Sequence, residues 1–544
     1  MTSVTLDPVQ KARDLFLDFV DAACGDMSSA DTLLDATRTA LRAISDDALM
    51  LTAARAQQPA FAKEAIRLCA AIAQLEPQRT AAWFAAGLAL QFANRHADAV
   101  APYRRALAID RTFPNLRNNL ATALMQINSN GDEVAVLLRE CVEAKPDDAN
   151  AWINLARLRA DEADVERPLE ASRRALALAP QSPLALNNYS MACKEAQLWD
   201  EAERAARAAC QYAPNDATTR VNLSMTRLLR GNFADGWADH ELRWQGSSEL
   251  ASGRPVFPRP EWHGEPLAGR TLLVWGEQGM GDLLQFSRYI PMLAERVRRE
   301  GGRLVWNSFP QMGALLARSL HGHYDLYTAG GPVEALPPFD YEISLVSLPA
   351  FFGTRENTIP GPTRYLASEP SAADRWRARL AGETRLKVGL TWTGSLTHKR
   401  NPFRRVGLER YARHFGGIDN VVFYSLQPGA TADIEAARKA GFDVVDFSEE
   451  WQSFDDTAAF IDALDLVISV CTSAAHLAGA LGQRTWVLLD VNPHWVWLLD
   501  RRDSPWYPNT TLYRQPQFRQ WEPVLDTMSA DLAKLAAAHR AKQA

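Results

Sequence analysis

Three short segments in the second half of the chain combine residues that could act on an anionic ligand. In TLLVWGEQGMGDLLQFSRYIP (271–291) an apolar run ends at Trp275, glycines follow at 276, 279 and 281, and Asp282 opens a helical pattern. Glycines let the backbone pass close to a ligand, and a helix amino terminus favours a bound anion. Asp282 is either the N-cap of that helix or a carboxylate available for proton transfer. The spacing is not G-x-G-x-x-G and no acidic ribose ligand is evident downstream, so a dinucleotide site is disfavoured. In LKVGLTWTGSLTHKRNPFRRV (386–406) a second run leads into Thr391, Thr393, Ser395 and Thr397, then His398, Lys399, Arg400, Arg404 and Arg405. A Lys point charge with an Arg fork suits a diphosphate leaving group and can replace a metal ion; the alternative is a solvated basic loop. In DLVISVCTSAAHLAGALGQRTWVLL (465–489) a strand-like run meets Cys471, Thr472 and Ser473 at the start of a small-residue helix. Hydroxyls and backbone N–H groups there can receive a phosphate, while His476 faces either ligand or sheet. The alanines and glycines of that helix serve tight helix–sheet packing equally well.

Strands alternating with helical stretches must position these segments. The strand pattern predicts Thr271–Trp275, Arg303–Trp306, Glu342–Val346, Lys387–Trp392, Val421–Ser425, Asp443–Phe447, Leu466–Val470 and Thr485–Leu489, as parallel βαβ units require. A Pro- and Ser-containing stretch near 358–372 divides the region into halves. Ligands of such sheets bind at the carboxyl ends of strands, where all three segments fall. The tail with Trp495, Trp497 and Trp506 is either a stacking platform or a packed lid. The last helical pattern, Met528–Ala544, is expected to pack back over the sheet.

The first half follows a different clock. Pro77, Arg111, Pro146, Pro180 and Pro214 lie 34, 35, 34 and 34 residues apart, each closing an alanine-rich run. A period of 34 is the tetratricopeptide (TPR) signature, a helical hairpin that buries its apolar face by stacking on neighbours. Trp83 and Trp152 sit six residues past a closing position, and Ala99, Tyr103 and Ala106 fit the second helix. Asn119, Asn154, Asn188 and Asn222 recur at one phase of the first helix. Such a row either clamps the backbone of an extended peptide or bonds to the neighbouring helix.

With 544 residues and a net charge of −6, the chain is expected to hold several domains, with no nucleic-acid groove and no anionic membrane surface. It has no 18-residue apolar run and begins without a signal-peptide pattern, so a cytoplasmic location without a membrane span is expected. Six scattered cysteines without a C-x-x-C pair point to buried thiols rather than zinc.

The three segments resemble the heptosyltransferase-type (family 9) and related GT-B glycosyltransferases. Those carry a G-x-x-G-D turn, a W-x-G…K…R loop and an S-x-D-T-G-x-x-H-L-A-x-A-L-G nucleotide loop. Here they read GMGD (279–282), WTGSLTHKRNPFRR (392–405) and SVCTSAAHLAGALG (469–482), within a match spanning about 267–525. With the repeats upstream, the chain resembles bacterial TPR-containing protein glycosyltransferases, including enzymes that modify flagellins. The resemblance implies an N-terminal TPR α-solenoid followed by a GT-B region of two Rossmann-like halves. It makes Asp282 the general base of an inverting transfer from a nucleotide sugar to Ser or Thr of a protein acceptor. It assigns the donor to Gly279, Gly281, Thr393, Lys399, Arg404, Thr472, Ser473 and His476. The asparagine row Asn119, Asn154, Asn188 and Asn222 would hold the acceptor. No D-x-D motif stands in a strand-end loop, so neither a metal nor another cofactor is expected. Cys471 stands where the family has an aspartate that touches the donor, which leaves the sugar undetermined.

The expected divisions are a helical cap or dimer-forming segment (1–70), TPR repeats (71–246), a linker (247–266), an acceptor-side half (267–370) and a donor-side half (371–544). Two rival readings remain at this level: a catalytically inactive TPR adaptor, and an enzyme acting on lipopolysaccharide or another glycan.

Overall fold

The computed structural model describes residues 27–127, 131–158, 165–250, 252–277, 279–398 and 400–543. Lys399 and the first 26 residues of the expected cap or dimer-forming segment lie outside them. The chain forms two compact units, one built from the chain up to Pro180 apart from a stretch around 161–166, the other from Gln181 onward.

The first unit is helical. Helices α1 (Met27–Arg42), α2 (Asp46–Ala54) and α3 (Pro59–Leu75) precede three hairpins: α4 (Thr80–Phe92) with α5 (His96–Ile109), α6 (Leu116–Gln126) with α7 (Gly131–Ala144), and α8 (Ala149–Arg157) with α9 (Glu166–Leu178). The repeat pattern has a direct physical cause. Tyr103 of α5 is fully buried and donates its hydroxyl to Gln91, 2.7 Å away. Its ring lies where a Cβ on Gly87 would come within 2.6 Å, so the first helix needs its small residue there. Trp83 and Trp152 each donate the indole N–H to the carbonyl of the closing proline six residues earlier, Pro77 at 3.1 Å and Pro146 at 2.8 Å. That bond ties each of these hairpins to the turn that closes the helix before it.

The second unit begins with the hairpin α10 (Pro183–Glu195) and α11 (Trp199–Tyr212), then α12 (Ala217–Leu229), whose partner is broken into short turns over 233–246. The segment that follows is pinned by aromatics. Trp262 is buried against Phe351 at 4.5 Å, its backbone N–H reaches the carbonyl of Glu342, and Arg254 pairs with the Glu342 carboxylate at 2.8 Å.

Two all-parallel sheets follow. Strands β1 (Thr271–Trp275), β2 (Arg303–Ser308), β3 (Leu326–Ala329) and β4 (Tyr341–Ser344) lie in the order β3-β2-β1-β4. Strands β5 (Leu386–Thr391), β6 (Val421–Ser425), β7 (Val444–Val445), β8 (Leu466–Val470), β9 (Thr485–Leu489) and β10 (Thr510–Arg514) lie in the order β10-β9-β8-β5-β6-β7. Strand order reverses between β1 and β4 in one sheet and between β5 and β8 in the other. Such reversals open crevices at the carboxyl ends of the strands. The three chemistry-bearing segments leave β1, β5 and β8, so the topology delivers each of them to a reversal point. Strands β3 and β10 were not expected from the sequence. The long C-terminal helix α15 (Glu522–Ala541) buries Leu525, Met528 and Leu532 beside β5 and β9 residues such as Leu386 and Leu488.

Candidate active site

At the end of β1 the chain turns through Gly279, with φ of 94°, into helix α13 (Met280–Phe286). A Cβ at Gly279 would sit 2.4 Å from Asp282 Oδ2, so the carboxylate folds back over the turn. The N-cap position is Gly279, and Asp282 is the third residue of the helix, without a cap bond from position 279. Among the described residues the Asp282 carboxylate has no hydrogen-bond partner. Desolvation, reinforced by the Glu277 and Glu249 carboxylates and opposed by Arg243, pushes its pKa up to about 7. A group poised there can exchange a proton near neutral pH.

Glu277, two residues beyond the strand, is buried behind it. Arg243 grips both its oxygens, with Nε at 3.2 Å from Oε2, and Ser344 donates to Oε1. Arg243 also reaches Ser347 at 2.9 Å and Glu241 at 2.8 Å. The charge beside Asp282 is therefore held in place by residues from the helical turns before the sheets.

The loop after β5 divides its basic residues. Thr393 is buried and exchanges hydrogen bonds with Asn401, whose Oδ1 also accepts the Gly394 N–H at 2.7 Å. Arg404 lies flat on Gly394, where a Cβ would come within 2.5 Å of its guanidinium. It donates to the Cys471 carbonyl at 3.0 Å, and its buried Nε has no partner among the described residues. Arg400 is committed to protein carboxylates: Glu195 at the end of α10, and Asp490 after β9 at 3.0 Å. The loop is thus not uniformly solvated: Arg405 is exposed while Arg400 and Arg404 are half-buried.

After β8, Thr472 is the N-cap of helix α14 (Ser473–Ala480). Its hydroxyl pairs with Ser469 at 3.1 Å and caps no backbone N–H. The two strand-end helices meet directly. His476 of α14 is buried, bonded through Nδ1 to Tyr507 at 2.9 Å and stacked on Trp497 at 5.2 Å. A Cβ on Gly281 would approach its ring within 2.9 Å, so Gly281 lets α13 close on α14. Burial, helped by His494, Arg288 and Arg404, drops the His476 pKa to about 3, and the ring is neutral. His476 therefore joins the helices; it is not an exposed phosphate ligand. Trp497 donates to Cys471 Sγ at 3.1 Å, and Trp495, Trp497 and Trp506 are all buried, so the tryptophan tail is packed interior rather than an open stacking platform.

Two members of the asparagine row, Asn154 and Asn222, are engaged between helices. In the first unit Asn154 donates to Asn118 at 2.8 Å and Thr122 at 3.1 Å, which uses both its N–H groups; Asn119 donates to the Asn115 carbonyl. In the second unit Asn222 is buried, donates to Asn187 and Ser190, and accepts from Lys194 Nζ at 2.6 Å. This corrects the expectation for Asn222, whose amide is saturated. For Asn154 only the carbonyl oxygen remains. Asn188 is half-buried.

Glu277, Arg243, Glu195 and Asp490 were missed by sequence reasoning, because their partners lie 34 to 205 residues away; Arg400 stood among the basic residues read as phosphate-facing, and its carboxylate partners were not foreseen. Among the described residues no helix is long and apolar enough to cross a membrane, and no group of three His, Cys, Asp or Glu side chains could hold a metal ion.

No protein-family model matches the chain. Protein FlbA of Caulobacter vibrioides is 28% identical over 451 residues, 77% of this chain and 73% of that protein. Among solved structures, the Pseudomonas aeruginosa protein pilF is 17% identical over 40% of this chain and 97% of its own, with a TM-score of 0.33. YrrB, described as a TPR protein with an unusual peptide-binding site, is 16% identical over 31% of this chain and 88% of its own, with a TM-score of 0.27. By its own elements the chain combines TPR-like helical hairpins with a parallel-sheet α/β region.

Proposed function

We propose that this protein is an inverting GT-B glycosyltransferase that moves a sugar from a nucleotide-sugar donor to Ser or Thr of a protein held by its helical repeats, with flagellin as a candidate acceptor. The observation that carries the reading is the unpartnered Asp282 carboxylate, with a pKa of about 7, beside the junction of the strand-end helices after β1 and β8. In this reaction the Asp282 carboxylate takes the proton of the acceptor hydroxyl as its oxygen bonds to the anomeric carbon. The bond from that carbon to the donor phosphate oxygen breaks, and its electron pair leaves with the nucleotide. Arg404, with its unpartnered Nε, and the uncapped start of α14 at Thr472 and Ser473 would receive the phosphate charge. Lys399 belongs to the same proposal on its place in the loop, and no metal is required. Gly279 and Gly281 act by allowing the turn and the helix approach.

Titration calorimetry with UDP, GDP, ADP, CDP and CMP tests the donor side. One of them should bind the parent protein, and Arg404→Ala should weaken it by about tenfold or more, as expected for a charge-assisted contact worth about 1.5–3 kcal/mol. Unchanged affinity in that variant removes Arg404 from the donor site.

A further inference from the structure

The four charged side chains where the last full hairpin meets the basic loop form a closed arrangement. Arg400 sits between Glu195 and Asp490, with its two terminal nitrogens bonded to both carboxylates. Asn492 adds a 2.7 Å bond to Glu195 Oε1. Lys194, the residue before Glu195, is buried and bonded to Asn222; burial brings its pKa down to about 8. Two cations and two carboxylates thus balance, with Lys194 and Asp490 buried and Arg400 and Glu195 half-buried. Opposed charges hold Arg400 firmly protonated, although burial works against them.

Such a group is costly to desolvate and is a poor source of stability compared with apolar packing; its best-attested use is to fix one arrangement. What it fixes here is the loop from Trp392 to Arg405. Arg400 lies four residues before Arg404, and the 400 carbonyl accepts the Arg404 backbone N–H. Asn401, the next residue, ties that turn to Thr393 and Gly394, the surface on which Arg404 rests.

We infer that Glu195, at the carboxyl end of α10, is a positioning residue for the donor site: through Arg400 it sets the loop that presents Arg404. The phosphate-facing role of that loop rests on the glycosyltransferase reading; the positioning of the loop does not. Glu195 touches no substrate. Its place on a repeat helix, one residue after the Lys194–Asn222 contact, makes the helical hairpin a structural part of the nucleotide site.

Glu195→Gln keeps the shape and removes the charge. Hydrogen exchange followed by mass spectrometry on the full-length, ligand-free protein should show faster exchange confined to peptides from 392–405. Affinity for whichever of UDP, GDP, ADP, CDP or CMP binds the parent should fall by about tenfold, with acceptor KM unchanged. Asn492→Ala removes one bond to Glu195 and should move both readouts in the same direction by less; it decides the matter if Glu195→Gln does not fold. Unchanged exchange over 392–405 in the folded variant, or an increase spread evenly over the second unit, overturns the inference. If the parent binds none of these nucleotides while the 392–405 exchange still responds, the glycosyltransferase reading falls and the positioning role stands.

Discussion

At the scale of single residues, Asp282 separates two readings that the sequence leaves open. A cap would accept a backbone N–H and stabilise the helix; this carboxylate does neither, and it is raised to about 7. The sign of its effect on stability follows. Its folded pKa lies above the unfolded value, so the folded state binds the proton more tightly. Stability is lost as pH rises from the ordinary carboxylate range through about 7. Asp282→Asn should therefore melt at or above the parent at pH 8, with the difference closing by pH 5, as differential scanning calorimetry can measure. A cap would give the opposite result, a loss of at most about 1 kcal/mol with Asn and more with Ala. Transfer by the parent should rise with pH through about 7, while Asp282→Asn should transfer about 10²–10⁴-fold more slowly. Gly394→Ala is a second residue-scale test. The added Cβ would overlap Arg404 at 2.5 Å, so nucleotide affinity should fall with little change in melting temperature.

At the scale of elements, strands β1, β6, β8 and β9 were legible to the residue, because each is a short apolar run bounded by Gly, Pro or polar residues. Strand β3, LYTA, has partly exposed side chains at a sheet edge, and β10, TTLYR, mixes polar and apolar residues; neither carries a strong pattern. The site was half legible. Residues such as Asp282, Arg404 and Thr472 stand in strand-end segments and announce themselves by local spacing. Arg400 looked like another phosphate contact, and nothing local marks Glu195, 205 residues earlier, as its partner. The asparagine period was visible too, but the period alone could not say that Asn222 is saturated by Asn187, Ser190 and Lys194. Asn222→Ala should consequently act on stability, since it strands the Lys194 ammonium: about 1–3 kcal/mol by urea unfolding of the full chain. Asn154→Ala loses two inter-helix bonds, worth about 0.5–1.5 kcal/mol each.

At the scale of the whole molecule, the chain pairs TPR-like hairpins with two parallel sheets, and the second compact unit begins within the repeats, at Gln181. The boundary of compactness thus falls before the end of the repeat period. Physically, the hairpin α10–α11 supplies Glu195 to the loop after β5, so it cannot be removed without disturbing that loop. The central claim is that this unit transfers a sugar to protein and that Asp282 takes the proton. Intact-protein mass spectrometry of flagellar and secreted proteins, from cells producing the parent chain or Asp282→Asn at equal levels, tests it most directly. The account predicts a glycan mass increment on at least one acceptor with the parent, absent with the Asn variant. Identical acceptor masses in the two strains, modified or unmodified, would contradict it.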